Sequence, residues 1–254
     1  MTRHPSPLST PQSWWARISL RGGRIFGWHG WPKVASLATT VAAVGALWFS
    51  GQSLRANENQ YQLSEQGLLT ERFSRAVEQL GSSALDVRLG AVYSLERLSR
   101  DSVRDHPTIF EVLGAFVRTH SPVTPGCAES PDPLAEPRPS VDVQAALTAI
   151  GRRNADHDGP NAIDLSASCL AGASLTDADL YNADLAETVL AYADLRGTDL
   201  TAAHLTNVDL YGADLTGATL IGTELREADL TGIVYDASTT WTDGTAPPPP
   251  AVPR

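Results

Sequence analysis

Eight leucines between residues 164 and 230 are preceded immediately by Asp, at positions 164, 179, 184, 194, 199, 209, 214 and 229. Carboxylates at fixed spacing could hold metal or move protons. Asp also bonds readily to nearby backbone and sits comfortably on a solvated coil face, which is the reading this regular spacing supports. Asn154, Asp156, Asp158 and Gly159 match the first half of a calcium loop, but its twelfth position, which requires a bidentate Glu, is Leu165. A turn is expected there, with no metal. The six histidines (4, 29, 106, 120, 157, 204) form no HExxH and no i, i+4 pair. No Gly-rich phosphate loop follows an expected strand, and no serine lies in a G-x-S-x-G setting. Glu96 and Arg97 are expected to serve a surface or packing ion pair. The two cysteines, Cys127 and Cys169, lack metal-site spacing. They could pair outside the cytoplasm; otherwise Cys169 would be a partly exposed thiol on a coil face. No nucleophile–base or metal constellation can be assembled, so neither an enzyme, a cofactor nor a small-molecule substrate is expected.

Charge separates the chain into contrasting parts. Residues 1–57 hold no Asp or Glu but carry Arg3, Arg17, Arg21, Arg24, Lys33 and Arg55. Residues 161–235 hold twelve acids against Arg196 and Arg226, a net −10 equal to that of the whole chain. An acidic folded part does not suit direct nucleic-acid binding. Aromatic residues make up only 7% of the chain, so any core must rest on Leu, Ala and Val.

Something must position these groups. Residues 1–33 read as a basic leader. Val34 to Phe49 is uncharged, with Trp31 and Trp48 near its ends, and a transmembrane anchor over 34–50 is expected. Sixteen residues span only about 24 Å as a helix, against about 30 Å of hydrocarbon, so Trp31, Pro32 and the residues after Phe49 would have to contribute. The expected localisation is single-pass membrane, with the carboxyl-terminal part leaning extracytoplasmic by the positive-inside rule.

A helical domain is expected over 52–120. Its first helix has a stripe of Leu69, Phe73, Ala76, Val77 and Leu80 ending at Gly81; the second covers about 86–99; the third begins near His106 with Pro107 in its first turn. Six prolines mark a linker over 121–139. Ser140 then caps a helix within 140–153, with Gly151 as its stop. Residues 236–254 read as an extended tail.

The decisive signal is an internal period. Every fifth residue is leucine: Leu165, Leu170, Leu175, Leu180, Leu185, Leu190, Leu195, Leu200, Leu205, Leu210, Leu215, Leu220, Leu225 and Leu230. Leucine occupies about one position in ten in ordinary chains, so this run is not chance. Two positions earlier sits a compact residue, alanine in eight of the fourteen cases. A five-residue period fits neither helix nor strand, but it does fit a square coil with one pentapeptide per side and leucine pointing inward.

The A-(D/N)-L-x-x pattern, as in Ala178-Asp179-Leu180-Tyr181-Asn182 and Ala213-Asp214-Leu215-Thr216-Gly217, resembles the pentapeptide-repeat family. That resemblance implies a right-handed quadrilateral β-helix over 161–235, with leucines twenty residues apart, such as Leu170, Leu190, Leu210 and Leu230, in one column. About three and a half coils at about 4.8 Å each give a stack roughly 17 Å tall. Glu65-Gln66-Gly67, Asp86-Val87-Arg88-Leu89-Gly90, Tyr93-x-Leu95-Glu96-Arg97 and Gly151-Arg152-Arg153 look like the helical lead-in of bacterial membrane-associated members. Trp241-Thr242-Asp243-Gly244 looks like their closing segment. The expected fold is α+β: a membrane-spanning helix, a small helical domain, then the β-helix. The expected function is a membrane-tethered interaction scaffold, held through residues 34–50 and binding a protein partner. The alternative is an acidic DNA mimic that inhibits a topoisomerase, as some acidic members are.

Overall fold

The computed structural model describes residues 31–129 and 137–242; residues 1–30 of the leader, 130–136 of the linker and the tail from 243 lie outside them. The chain divides into two compact units, Met1–Glu65 and Gln66–Arg254.

Helix α1 is continuous from Trp31 to Leu80, so the anchor and the first domain helix expected as separate elements are one. Pro32 stands in its first turn, where a missing N–H costs nothing, and no later proline interrupts it. The membrane anchor is overturned: no helix among the described residues is long and apolar enough to cross a membrane. The apolar run is diluted by Ala and Thr, and the residues after Phe49 that would have to lengthen it are Ser, Gly and Gln, followed by Arg55 and Glu58. The single-pass localisation, its extracytoplasmic lean and the membrane contact through 34–50 fall with it.

In the second unit, α2 (Leu85–Asp101), α3 (His106–His120) and α4 (Val141–Gly151) pack on one another. Their contact is made by Leu95, Ile109, Phe110, Leu113, Leu147 and Ile150, all fully buried; each contributes about 1.5–3 kcal/mol. Ser140 stands at the N-cap of α4 without a side-chain cap bond, and Gly151 is the last helical residue rather than the one beyond it. Arg88 of α2 reaches Asp142 of α4 at 2.6 Å, with the carboxylate side chain only 1% exposed.

The remainder is a four-sided coil. Parallel bridges join residues twenty apart, 164 to 184, 169 to 189, 174 to 194 and 179 to 199, and repeat down the stack. The pentapeptide explains each corner. The residue two after each leucine has positive φ, and from Leu170 onward the N–H one further on bonds back to the leucine carbonyl, as Ala173 does to Leu170 at 3.0 Å. That is the geometry of a turn whose third residue must be left-handed.

The ladder continues to Thr240, past the range the leucines mark. Tyr235 and then Trp241 take the leucine positions, with ring centroids 5.5 Å apart. One extra residue in the last coil makes the final bridge 219 to 240, which hides this coil from a strict five-residue count.

Candidate functional site

Twelve of the fourteen repeat leucines, Leu165 to Leu220, are buried to 2% exposure or less. Leu225 and Leu230, nearest the carboxyl end, are only partly buried. These residues form the axis of the stack, and their side chains offer no chemistry.

All eight aspartates before leucines accept the N–H two residues on. Examples are Tyr181 N–H to Asp179 at 3.0 Å and Thr201 N–H to Asp199 at 2.9 Å. Each carboxylate fastens its own corner. Asp194 also takes two bonds from the Arg196 guanidinium, which pull its carboxyl down to about 2 despite partial burial. Where threonine replaces alanine inside, its hydroxyl is satisfied by backbone, as in Thr188 to Leu165 O at 3.0 Å and Thr198 to Leu175 O at 2.8 Å.

The calcium-like stretch is a one-turn 3-10 helix, Ala155–His157, where Asn154 accepts the Asp156 N–H. Asp158 is committed to Arg153 at 2.6 Å, and its other oxygen lies 3.5 Å from Nδ1 of the buried His106. Burial holds His106 below its ordinary pKa. Among the described residues, no group of three or more His, Cys, Asp or Glu is arranged to hold a metal. Glu96 pairs with Arg100 one turn on, and not with Arg97.

The first coil meets the helices through its exposed edge. In later coils the residue before each leucine directs both N–H and C=O to the coil above. In the first coil no coil lies above, yet all four of these carbonyls are satisfied. Arg118 donates to Asp164 O at 2.6 Å, the Ser121 hydroxyl to Cys169 O, Gln144 to Ser174 O at 2.7 Å, and Arg153 to Asp179 O. Three of the N–H groups are also taken, by Ser121 O, Gln144 Oε1 and Gly151 O. Arg118, Gln144 and Arg153 carry no sequence mark of this task. Of the three, only Arg153 stands in a stretch already noted for its resemblance to the family's lead-in, Gly151-Arg152-Arg153.

Cys127 and Cys169 form a disulfide with Cα atoms 5.8 Å apart, so the second of the two sequence readings, the free Cys169 thiol, does not hold. The beginning of the expected linker is docked: Pro122 bridges Ser168, and Val123 N–H bonds Ala167 O at 3.2 Å.

Where α2 and α4 meet the upper coils lies a cleft of about 760 Å³. Tyr93 of α2 and Tyr192 of the second coil line it, 59% and 44% exposed, and Val141, Ala145 and Ala149 of α4 contribute apolar surface. Arg138, Arg152, Glu96 and Asp194 supply the charge. Tyr211, one coil below, meets Tyr192 edge-on at 5.4 Å. Tyr192 and Tyr211 occupy variable turn positions of the repeat, so its pattern does not mark them, and Tyr93 is marked only as part of the lead-in motif on α2. The arrangement can bind; it offers no activated nucleophile.

Comparison with known proteins follows the same lines. The model of the family described as pentapeptide repeats matches residues 164–207 and 193–232, in eight copies. A pentapeptide repeat protein from the Arabidopsis thaliana thylakoid lumen is 39% identical over 28% of this chain and 53% of its own, with a TM-score of 0.25. HetL, a pentapeptide repeat protein involved in heterocyst differentiation regulation in the cyanobacterium Nostoc, is 34% identical over 28% of this chain and 35% of its own, with a TM-score of 0.23. Another Nostoc pentapeptide repeat protein is 31% identical over 33% of this chain and 77% of its own, with a TM-score of 0.19. This chain therefore spans about half the length of the first and about a third of the second. A search of curated proteins gave no match.

Proposed function

Because this chain belongs to the pentapeptide-repeat family, we propose that it is a non-catalytic binding module for a protein partner. The partner engages the seam between the helices and the upper coils. The observation that carries this reading is the cleft walled by Tyr93 and Tyr192, with Tyr211 continuing the surface downward. Exposed tyrosines present large, rigid area at little entropic cost, and they are enriched where protein interfaces are strongest. The edge capping supports it further: six of the first-coil bonds come from helical residues or from Ser121 just after α3, so both walls of the cleft are held by one continuous network.

The test is photo-crosslinking in cells from a photoreactive analogue at position 192. A discrete protein adduct that disappears when Tyr93 and Tyr211 are both changed to Ser is the expected result. No adduct, or adducts indifferent to those changes, would refute the module.

The solenoid's net charge of −10 favours one rival, mimicry of DNA towards a topoisomerase. Against it, four coils at about 4.8 Å cover only a few base-pair steps. Purified protein at micromolar concentration is expected to leave gyrase supercoiling unchanged.

A further inference from the structure

We infer that the cleft receives an extended acidic segment of the partner, with its carboxylates on Arg138 and Arg152 and an aromatic or aliphatic side chain between Tyr93 and Tyr192. This rests on the reading that the chain is a protein-binding module, and adds the chemistry of what it binds.

The charges decide the sign. Four charged side chains line the cleft, and the two acids are already compensated: Glu96 pairs with Arg100, and Asp194 receives two bonds from Arg196. Neither Arg138 nor Arg152 has an ion-pair partner among the described residues, and both are exposed. Among the described residues the cleft thus offers uncompensated positive charge, within a chain of net charge −10. A cationic ligand would meet only carboxylates that are already occupied. An anionic one meets two guanidiniums, whose planar donor pairs match a carboxylate.

Shape decides the rest. Helix α4 has eleven residues and is about 16 Å long, the span of about five residues of extended chain. Ala145 and Ala149 line the cleft with small side chains, so a backbone can approach closely. Tyr93 and Tyr192 both line the cleft and present exposed ring surface against which a large side chain of the segment can pack. A nucleic acid would bring phosphates to the same arginines, but its remaining charge would face the acidic coils.

The experiment is fluorescence anisotropy on the full-length protein with a labelled peptide, Glu-Asp-Phe-Glu-Asp-Leu. Matched peptides carry Gln and Asn, or Lys, in place of the acids, and a thymidine hexanucleotide serves as a further ligand. The acidic peptide is expected to bind at least roughly tenfold more tightly than either matched peptide and the oligonucleotide. Arg138→Glu with Arg152→Glu should remove that preference, while Arg226→Glu, on the exposed solenoid surface, should not. Equal binding of the neutral peptide, indifference to the double charge reversal, or tighter binding of the oligonucleotide would overturn the assignment. A Tyr192 adduct that forms in cells but does not compete with the acidic peptide would sink this inference and leave the module standing. Loss of the adduct itself would remove both.

Discussion

The side-chain amide of Gln144 bonds twice to the backbone of Ser174, accepting its N–H at 3.0 Å and donating to its carbonyl at 2.7 Å. Gln144 thereby supplies what the peptide groups of a preceding coil supply elsewhere, as when Asp194 N–H bonds Ala173 O and Asp194 O accepts from Leu175 N–H. An open edge of parallel strands is a template for unwanted pairing, and on the Ser174 side of the first coil α4 closes it with one side chain.

Gln144→Leu removes both bonds and should lower stability by about 1–2 kcal/mol. Gln144→Glu keeps an acceptor for the Ser174 N–H but turns a carboxylate towards the Ser174 carbonyl, so it should destabilise at least as much. Urea unfolding gives the magnitude, and hydrogen exchange at the Ser174 amide gives the location. Unchanged exchange at Ser174 in the Leu variant would show that the cap is dispensable.

Gly172 and Gly222 share a left-handed backbone, with φ of 64° and 72°, yet differ in surroundings. A Cβ at Gly222 would meet only ordinary contacts at 3.8 Å, whereas one at Gly172 would lie 1.7 Å from the Pro137 carbonyl oxygen. Gly222→Ala should cost about 1 kcal/mol, the ordinary left-handed penalty. Gly172→Ala should cost clearly more and displace the segment entering α4. Equal melting temperatures for the two variants would contradict the close packing.

What was legible in the sequence follows from this contrast. Fourteen leucines each report the same local environment, so the coil emerges from repetition alone, and Asp179 or Asp184 can be read as corner residues because their bonds span two positions. Gln144 with Ser174, Arg118 with Asp164, and Arg88 with Asp142 are single long-range pairs without a period, so nothing in their spacing announces them. The Cys127–Cys169 pairing was open for the same reason. Trp241 stands in the closing motif, but its place in the leucine register is hidden by one extra residue. The stretch 34–50 fails differently: the uncharged run and its flanking tryptophans suggest an anchor, but its Ala and Thr bury too little apolar area to make one.

The disulfide ties residues 42 apart in sequence, and the bonds of Ser121 and Val123 to the first coil lie just before it. A loop of that length corresponds to about 4 kcal/mol of lost unfolded-state entropy in the chain-entropy picture. Cys127→Ser with Cys169→Ser should lose about 2–4 kcal/mol and raise exchange at the Val123 and Cys169 amides. Exchange that stays slow there would mean that the backbone bonds alone hold the strap.

Asp142 is buried and bonded to Arg88; burial alone would raise its carboxyl, but bonds from Ser140 and Arg88 outweigh it and hold the pKa below the ordinary value. Removing one partner strands the other charge, so Arg88→Leu should cost about 3–5 kcal/mol. Arg88→Leu with Asp142→Leu should recover much of that loss, because an apolar pair avoids the desolvation of two charges. A double variant as unstable as the single one would place the damage in packing between α2 and α4 instead.

His106 gives the acid response a definite sign. It is 2% exposed, and burial lowers its pKa from 6.5; His157 and Arg153 push the same way, and Asp158 opposes. The folded state therefore favours the neutral ring, and the unfolded chain takes up the proton first. The stabilisation is fully present above the unfolded pKa of 6.5 and is lost as pH falls towards the lower folded value. Arg153, which caps the Asp179 carbonyl, shares this pocket through Asp158, so protonation should loosen the contact between α3 and that side of the first coil. The urea midpoint of the native protein should fall as pH drops below 6.5, and His106→Phe should flatten that slope while Asp194 continues to report only at much lower pH. An equal slope in the Phe variant would assign the acid response to carboxylates and leave His106 as a packing residue.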